Sequence, residues 1–129
     1  KLCSGWTNNL ILNYKVVTIA TENYFQNKYN ENKILATSIL EKTGEYYVIF
    51  YDYSDNNLST LINNFRNKKN KIYEVNTKDA LNKRYLVKDK KDVIIDKNNL
   101  KIKDNMLVKI KNNKVEEIIY DNDIQTRLK

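Results

Sequence analysis

The chain has no histidine, no proline, one cysteine and two glycines among its 129 residues. Without histidine there is no imidazole base and no serine triad, and the usual zinc and haem ligand sets cannot be assembled. Because Cys3 is the only cysteine, the chain cannot form an intramolecular disulfide. Loops that cradle phosphate need several glycines, and Gly5 and Gly44 stand alone. These absences exclude most cofactor and metal chemistry, so we expect no cofactor.

Glycine and proline are rare while Lys, Asn, Ile and Tyr are abundant, which is typical of a low-GC genome. Asparagine must therefore occupy many turn positions that glycine usually takes. The length corresponds to one domain, which should bury roughly two-thirds of the surface of the unfolded chain. No apolar run is long enough to span a bilayer.

The net charge of +7 and the pI near 9.3 open the alternative of a domain that binds nucleic acid or anionic lipid. The lysines, however, are interleaved with Asp, Glu and Asn. Their densest clusters, 68–71 and 88–91, fall at the ends of predicted elements instead of along one helix face. No helix-turn-helix, zinc or RNP pattern is present. The charge therefore favours an evenly solvated surface, and nucleic acid is a minor alternative as the partner.

The N-terminal residues 1–14 are interpreted as a tether or an edge segment ahead of the main domain. Cys3-Ser4-Gly5, followed by polar residues, resembles the start of a mature bacterial lipoprotein, in which that cysteine carries the lipid. Leu2 departs from this pattern, because a small residue usually precedes the cysteine. The resemblance implies lipid attachment at Cys3 and an extracytoplasmic, membrane-anchored protein of a low-GC Gram-positive bacterium. The alternative is a cytoplasmic protein.

The spacing of apolar residues changes twice between Glu45 and Asn76, from that of a strand to that of a helix and back. The run from Glu45 to Tyr51 is almost continuously apolar and aromatic, as in a strand buried on both faces. A polar turn, 52–57, precedes apolar residues at helical spacing, namely Leu58, Leu61, Ile62 and Phe65. Residues 71–76 then read as a second strand. Strand, helix and strand in this order predict a βαβ unit.

On the N-terminal side of this unit, residues 15–20 are β-branched and predict a first strand. Thr21 is a candidate N-cap for a helical segment, either continuous or broken around Asn30 to Asn32. Its apolar residues continue through Ile34, Ile39 and Leu40, and Gly44 is its C-terminal stop.

On the C-terminal side, Thr77 is predicted to cap a helix over 78–87 whose apolar face includes Ala80, Leu81 and Tyr85. Residues 93–95 form either a short strand or an inserted loop. Residues 100–110 and 114–120 alternate and predict a hairpin turning at Asn112-Asn113. Residues 121–129 predict a last helix with its apolar residues at i and i+4.

The element order predicts an α/β domain, with a central mixed sheet of about four to five strands flanked by helices. Parallel βαβ units are followed by an antiparallel hairpin and a helix. The rival is an α+β domain with helices on one face of an antiparallel sheet, since the order of strands in the sheet is not fixed by the element order.

Residues 15–129 resemble the thioredoxin-like family, and especially its extracytoplasmic Gram-positive branch of bacteriocin-transport-accessory type. Tyr47-Val-Ile-Phe-Tyr51 with its polar loop resembles the strand and loop that deliver the family's Cys-x-x-Cys. Ile102 to Ile110, followed by Lys111 to Val115, resembles the Thr-Pro-Thr-Leu strand, turn and next strand. The resemblance implies a thioredoxin-like fold and a partner protein.

The departures from that family fall on its chemistry. Asp55-Asn56-Asn57-Leu58 stands where Cys-x-x-Cys is expected, Asn105 replaces the cis-proline, and Ile49 replaces the buried acid. Thiol-disulfide exchange needs a thiolate, which none of these residues supplies. A cis bond before a non-proline residue costs roughly 3 kcal/mol, so we expect a trans bond before Asn105. The chain is therefore predicted not to be an enzyme.

The predicted function is a redox-inactive binding or scaffolding module, accessory to a transport or secretion system. The predicted partner-binding residues are Tyr53, Ser54, Asp55, Asn56, Asn57, Asp104 and Asn105. Tyr53 is expected to be exposed, whereas most other tyrosines are expected to fill the core. The enzyme-class alternative is a single-cysteine thiol-transfer protein that uses Cys3.

Overall fold

The computed structural model describes residues 32–129, in which one open mixed sheet of four strands is flanked by helices. The predicted strand over 15–20, the N-cap at Thr21 and the site at Cys3 lie outside the described residues. No helix within 32–129 has the length and apolarity needed to cross a membrane.

The βαβ unit forms as the change of period predicts. Strand β1 spans Glu45–Tyr51, helix α1 spans Asn56–Asn67 and strand β2 spans Ile72–Asn76. The two strands are parallel, with register Tyr47↔Ile72 through Tyr51↔Asn76. The predicted strand, helix and strand are confirmed.

The predicted hairpin is also confirmed. Strands β3 (Met106–Lys111) and β4 (Lys114–Tyr120) are antiparallel, and β3 also pairs antiparallel with β1. Asn112 and Asn113 have φ of 52° and 65°, the left-handed conformations that a two-residue hairpin requires. The strand order is therefore β2-β1-β3-β4. The sheet is mixed rather than antiparallel.

Helices α1 and α3 (Asn122–Leu128) cover one face of the sheet. The apolar stripe of α1 buries Leu58, Ile62 and Phe65, and α3 buries Ile124 and Leu128 as its i, i+4 spacing predicts. Burying one such side chain fully contributes about 1.5–3 kcal/mol. These contacts hold both helices on the face that carries Ile49 and Tyr51.

The opposite face is covered by irregular chain and short helices. Residues 34–40 do not form the predicted helix but an extended segment and a 3-10 helix, Ala36–Ser38, so that prediction is wrong. The reason is tertiary: Ile34 N donates to Glu74 O over 2.9 Å, which uses this segment as a partner of β2. Gly44 does have φ +77°, but it lies in the turn before β1.

The helix predicted over 78–87 is also largely absent. Helix α2 spans only Ala80–Lys83, and its N-cap is Asp79, which accepts from Leu81 N over 3.0 Å. Leu81 is 56% exposed, so the predicted apolar face is wrong. Thr77 does not cap because its hydroxyl donates to Asp104 Oδ1 over 2.7 Å.

The predicted strand over 100–110 is divided in two. Ile102 lies beside Leu86 in an isolated parallel bridge, and Lys101 pairs with Ile94 in an antiparallel one. Residues 93–95 therefore contribute one bridge within a loop that also contains a 3-10 helix, Lys90–Asp92. Only after residues 103–105 does β3 begin.

Candidate functional site

The loops that follow β1 and β2 meet the segment that precedes β3 at one end of the sheet. Thr77 N donates to Tyr51 O over 3.0 Å, and its hydroxyl donates to Asp104 Oδ1 over 2.7 Å. This end holds the carboxyl ends of the two parallel strands, where ligands of open α/β sheets usually bind. We call Ser54, Asp55, Asn56, Asn57 and Asn105 the polar edge surface, because all five are exposed.

The loop over 52–57 is fixed by its own acidic side chains. Asp52 Oδ1 accepts from the backbone N–H of Ser54 over 3.0 Å and from its hydroxyl over 2.8 Å. These hydrogen bonds lower the pKa of Asp52. Asp55 Oδ1 accepts from Leu58 N over 3.1 Å, so Asp55 is the N-cap of α1. The loop therefore presents Asn56 and Asn57 from a defined backbone.

Tyr53 is half-buried, so the prediction that it is exposed is wrong. Its hydroxyl donates to Glu74 O over 2.8 Å, and its ring centroid lies 5.1 Å from that of Tyr51. Lys33 Nζ lies 5.3 Å from the centre of the same ring. An amphipathic ring can cover the end of the core while its hydroxyl reaches a backbone carbonyl. Tyr53 therefore supports the polar edge surface from beneath.

Asp104 and Asn105 complete this end of the sheet. Asp104 is half-buried and bonded to Thr77, whereas Asn105 is exposed with φ 56°. All peptide bonds within 32–129 are trans, as expected for the one before Asn105. The carbonyl of Asn105 accepts from Asp121 N over 3.0 Å. An asparagine tolerates this left-handed backbone better than most residues.

A buried network centred on Glu74 escaped the sequence prediction. Tyr51 donates its hydroxyl to Glu74 Oε1 over 2.5 Å, and Arg66 Nη2 donates to Glu74 Oε2 over 3.0 Å and to Ile72 O over 2.9 Å. Glu74 is only 5% exposed. Burial, followed by the bond to Glu74, raises the pKa of Tyr51. The sequence feature that could have indicated this network is the single acidic residue in the middle of the apolar strand β2, together with the one arginine of α1.

Of the seven tyrosines within 32–129, two are buried in the core and the other five are partly buried against it, so the prediction that most of them fill the core holds only in part. Tyr46 and Tyr51 are each 1% exposed, and Tyr46 donates its hydroxyl to Ile39 O over 2.7 Å. Burial raises the pKa of Tyr46 as well.

Two depressions are lined by residues that do not belong to the polar edge surface. One, of about 420 Å³, is lined by residues of segments 37–41 and 84–100, including Glu41, Arg84 and Asp96. The other, of about 510 Å³, runs beside β4 and α3. Within 32–129, no group of three or more Cys, Asp or Glu side chains is placed to hold a metal ion.

A scan against models of protein families, a search of curated proteins and a search of solved structures each find no match to this chain.

Proposed function

We propose that the chain is a redox-inactive thioredoxin-like domain that binds another protein through the polar edge surface. The directions of the strands support this proposal. Strands β1 and β2 are parallel around α1, and an antiparallel hairpin and a helix follow, which is the arrangement expected of that family.

The observation that carries the binding role is the fixed backbone beneath exposed polar side chains. Ser54, Asn56 and Asn57 are exposed, yet the turn that holds them is closed by Asp52 and Asp55. A preorganised surface loses little conformational entropy when it binds. The side-chain amides of Asn56 and Asn57 form no hydrogen bond within 32–129 and are therefore available to donate and accept hydrogen bonds across an interface.

The positions that resemble Cys-x-x-Cys are used for structure. Asp55 caps α1, and Leu58 is 6% exposed within the core. Ile49, where redox members carry a buried acid, is fully buried among apolar side chains. Neither end of this tetrapeptide offers a thiolate. An insulin-reduction assay tests the claim, and turnover above background would support the single-cysteine alternative that uses Cys3.

The binding role is tested by crosslinking from the surface itself. A photo-crosslinking residue at Asn56 should capture a discrete partner in cells. The double substitution Ser54→Arg/Asn57→Arg should reduce that capture about tenfold or more, since misplaced charge costs heavily at an interface. Asn99→Arg adds the same kind of charge at another exposed position and should leave capture unchanged. Equal capture by the double variant and by the control would contradict the proposal.

The cellular setting follows from the resemblance: an extracytoplasmic protein anchored through Cys3 and accessory to a transport or secretion system. Lipid attachment is tested by metabolic labelling with a radioactive fatty acid. Label is expected on the natural protein and absent from Cys3→Ser. Label retained by Cys3→Ser, or missing from both proteins, would contradict the anchor while leaving the binding role intact.

One observation favours a second function, the binding of an anionic surface. Lys68, Lys69 and Lys71 are exposed just after α1. Lys68 Nζ donates to Lys129 O over 2.8 Å, whereas Lys69 and Lys71 form no ion pair with any residue of 32–129. Binding to vesicles with anionic headgroups or to DNA should then weaken steeply as salt rises. An absence of binding at low salt would eliminate this candidate.

A further inference from the structure

Strand β4 lies at the side of the sheet opposite to β2. β4 ends the sheet and is paired with β3 on one side only. At the opposite end, β2 is covered, because Glu74 N donates to Asn32 O and Glu74 O accepts from Ile34 N. No segment of residues 32–129 covers β4 in this way. Among residues 32–129, one edge is closed and the other is open.

The register identifies the backbone groups that face outward. Asp121 N donates to Asn105 O, so this pair is hydrogen-bonded toward β3. In an antiparallel ladder, hydrogen-bonded and non-hydrogen-bonded pairs alternate. Ile119 and Glu117 therefore bond inward, while Ile118 and Tyr120 direct their N–H and C=O groups away from the sheet.

A groove lies along this outward edge. Its volume is about 510 Å³, and Ile118, Ile119 and Tyr120 form its floor. On one side stands Lys90, whose Nζ lies 4.9 Å from the centre of the Tyr120 ring. On the other side stand the residues of α3 that line the groove, Asp123, Thr126 and Arg127. The groove is therefore a shallow, open depression along the outer edge of β4.

Only the first half of β4 is protected against edge pairing. A β-bulge opposite Lys109 and Ile110 leaves Glu116 without a partner in β3. Glu116 and Glu117 are also two consecutive charged residues. Charges and bulges are the usual devices that prevent edge pairing. The second half, 118–120, carries neither a charge nor a proline. The unprotected half is the part that the groove exposes.

We propose that the groove binds an extended segment of another protein as a fifth strand beside residues 118–120. The charges of the groove indicate its chemistry. Glu117 is neutralised by Arg127 at 3.1 Å, whereas Asp123 forms no ion pair within 32–129. The partner strand therefore carries a lysine or arginine on its α3 side. Its other face carries β-branched or aromatic residues that pack on Ile118 and Tyr120.

A second copy of this chain is a poor occupant. Antiparallel self-pairing of β4 over its isoleucines sets Glu117 opposite an acid or opposite Ile118, Ile119 or Tyr120, depending on the register. Like charges, or a charge against an apolar side chain, are unfavourable across strands. A heterologous strand avoids both.

Amide hydrogen exchange on the full chain tests the edge. The probe is a capped peptide, Val-Thr-Val-Lys-Tyr-Thr-Val, titrated at rising concentration. The amides of Ile118 and Tyr120 should exchange quickly in the free protein and become protected when the peptide is added. Those of Glu117 and Ile119 should be protected in both states. Unchanged exchange at Ile118 and Tyr120 under a saturating excess of peptide would overturn the proposal.

Two N-methylated peptides distinguish strand pairing from simple adhesion. One is methylated at odd positions and the other at even positions, so that only one loses the amides facing β4. That peptide should bind about tenfold more weakly or worse, because several hydrogen bonds are lost together. Equal affinity of the two peptides would overturn the proposal.

Protein variants test the partner's chemistry. Asp123→Asn should weaken binding of the lysine-containing peptide about threefold or more, and Asp96→Asn, at another exposed aspartate, should not. Equal effects would remove the charge argument. Sedimentation without peptide provides the last test: a dimer with protected Ile118 and Tyr120 amides would show that a second copy is the occupant and overturn the proposal.

Discussion

The two edge strands of the sheet, β2 and β4, differ in how the rest of the described chain covers them. At β2 the edge is covered by residues 32–34 and backed by the buried carboxylate of Glu74, which Arg66 and Tyr51 satisfy. At β4 no other segment in the described part of the chain pairs with the edge, and the ion pair there lies on the surface: the Arg127 and Glu117 side chains are 39% and 40% exposed. The closed edge contains buried polar groups that must keep their hydrogen-bond partners, whereas the polar groups of the open edge can be hydrated by water.

This difference predicts how the two edges respond to substitution. Buried hydrogen-bonded charges are costly to leave unpaired, because the remaining partner has no access to water. Exposed pairs contribute little, because water and salt replace them. Substitutions at the β2 edge should therefore destabilise the fold, while those at the β4 edge should be tolerated.

The largest effect is expected for Arg66→Leu. It leaves Glu74, whose side chain is 6% exposed, without its cation, and should lower the free energy of unfolding by about 3 kcal/mol or more. Urea denaturation measures the change. The double variant Arg66→Leu/Glu74→Leu should recover most of the loss, since neither charge then remains buried. A loss below about 1 kcal/mol for the single variant would show that the closed edge does not depend on this pair.

Tyr51→Phe should cost about 1–3 kcal/mol, because Glu74 loses one of its two side-chain donors. The pKa of Tyr51 is raised in the folded state. Its contribution is therefore complete below the unfolded-state pKa of about 10, and is lost as the pH rises from there toward the folded-state pKa. Thermal unfolding between pH 8 and 11 should show a steeper alkaline decline for the natural protein than for the variant. Parallel curves would contradict the assignment.

At the open edge, Asn113→Ala should cost about 1–2 kcal/mol, because φ of 65° is unfavourable for a residue with a β-carbon and no local side-chain hydrogen bond. Asn113→Gly also loses the amide hydrogen bonds to Leu40 O and Lys42 O, both at 3.0 Å, but it removes the backbone strain and should be about 1 kcal/mol less costly than Asn113→Ala. Chemical denaturation of the two variants gives the comparison. Equal losses would mean that the side chain of Asn113, and not its backbone, stabilises the hairpin.

The smallest effect is expected for Arg127→Gln, at about 0.2–1 kcal/mol. Its bond to Tyr47, more than the nearby Glu117, raises the pKa of Arg127. The loss should shrink further in high salt, which screens exposed charges. A loss as large as that of Arg66→Leu would erase the proposed contrast between the edges.

The sequence predicts the βαβ unit and the hairpin well because local and tertiary preferences agree there. The stripe from Leu58 to Phe65 has one helical solution, and Asn112-Asn113 accept the backbone of a tight turn. Residues 34–40 are different. Their apolar spacing fits a helix, but an extended segment and a 3-10 helix bury Ile34 and Ile39 equally well, and pairing with Glu74 decides between them.

The candidate site was predictable where polarity alone decides exposure. Ser54, Asn57 and Asn105 are exposed as expected. Tyr53 has polar neighbours in sequence, but its contacts come from Tyr51 and from Glu74, 21 residues away. Thr77 likewise bonds to Asp104, 27 residues away. Such distant partners leave no trace in local spacing.

Glu74 joins four parts of the molecule through one residue. Its backbone binds residues 32–34 and the hydroxyl of Tyr53, and its side chain binds Arg66 and Tyr51. These parts should therefore open together, as a single unit of local unfolding. A protein that binds the loop after β1 would then slow the fraying of residues 32–34 without contacting them. Binding at the polar edge surface would then be measurable as slower opening of residues 32–34, at the β2 edge of the sheet.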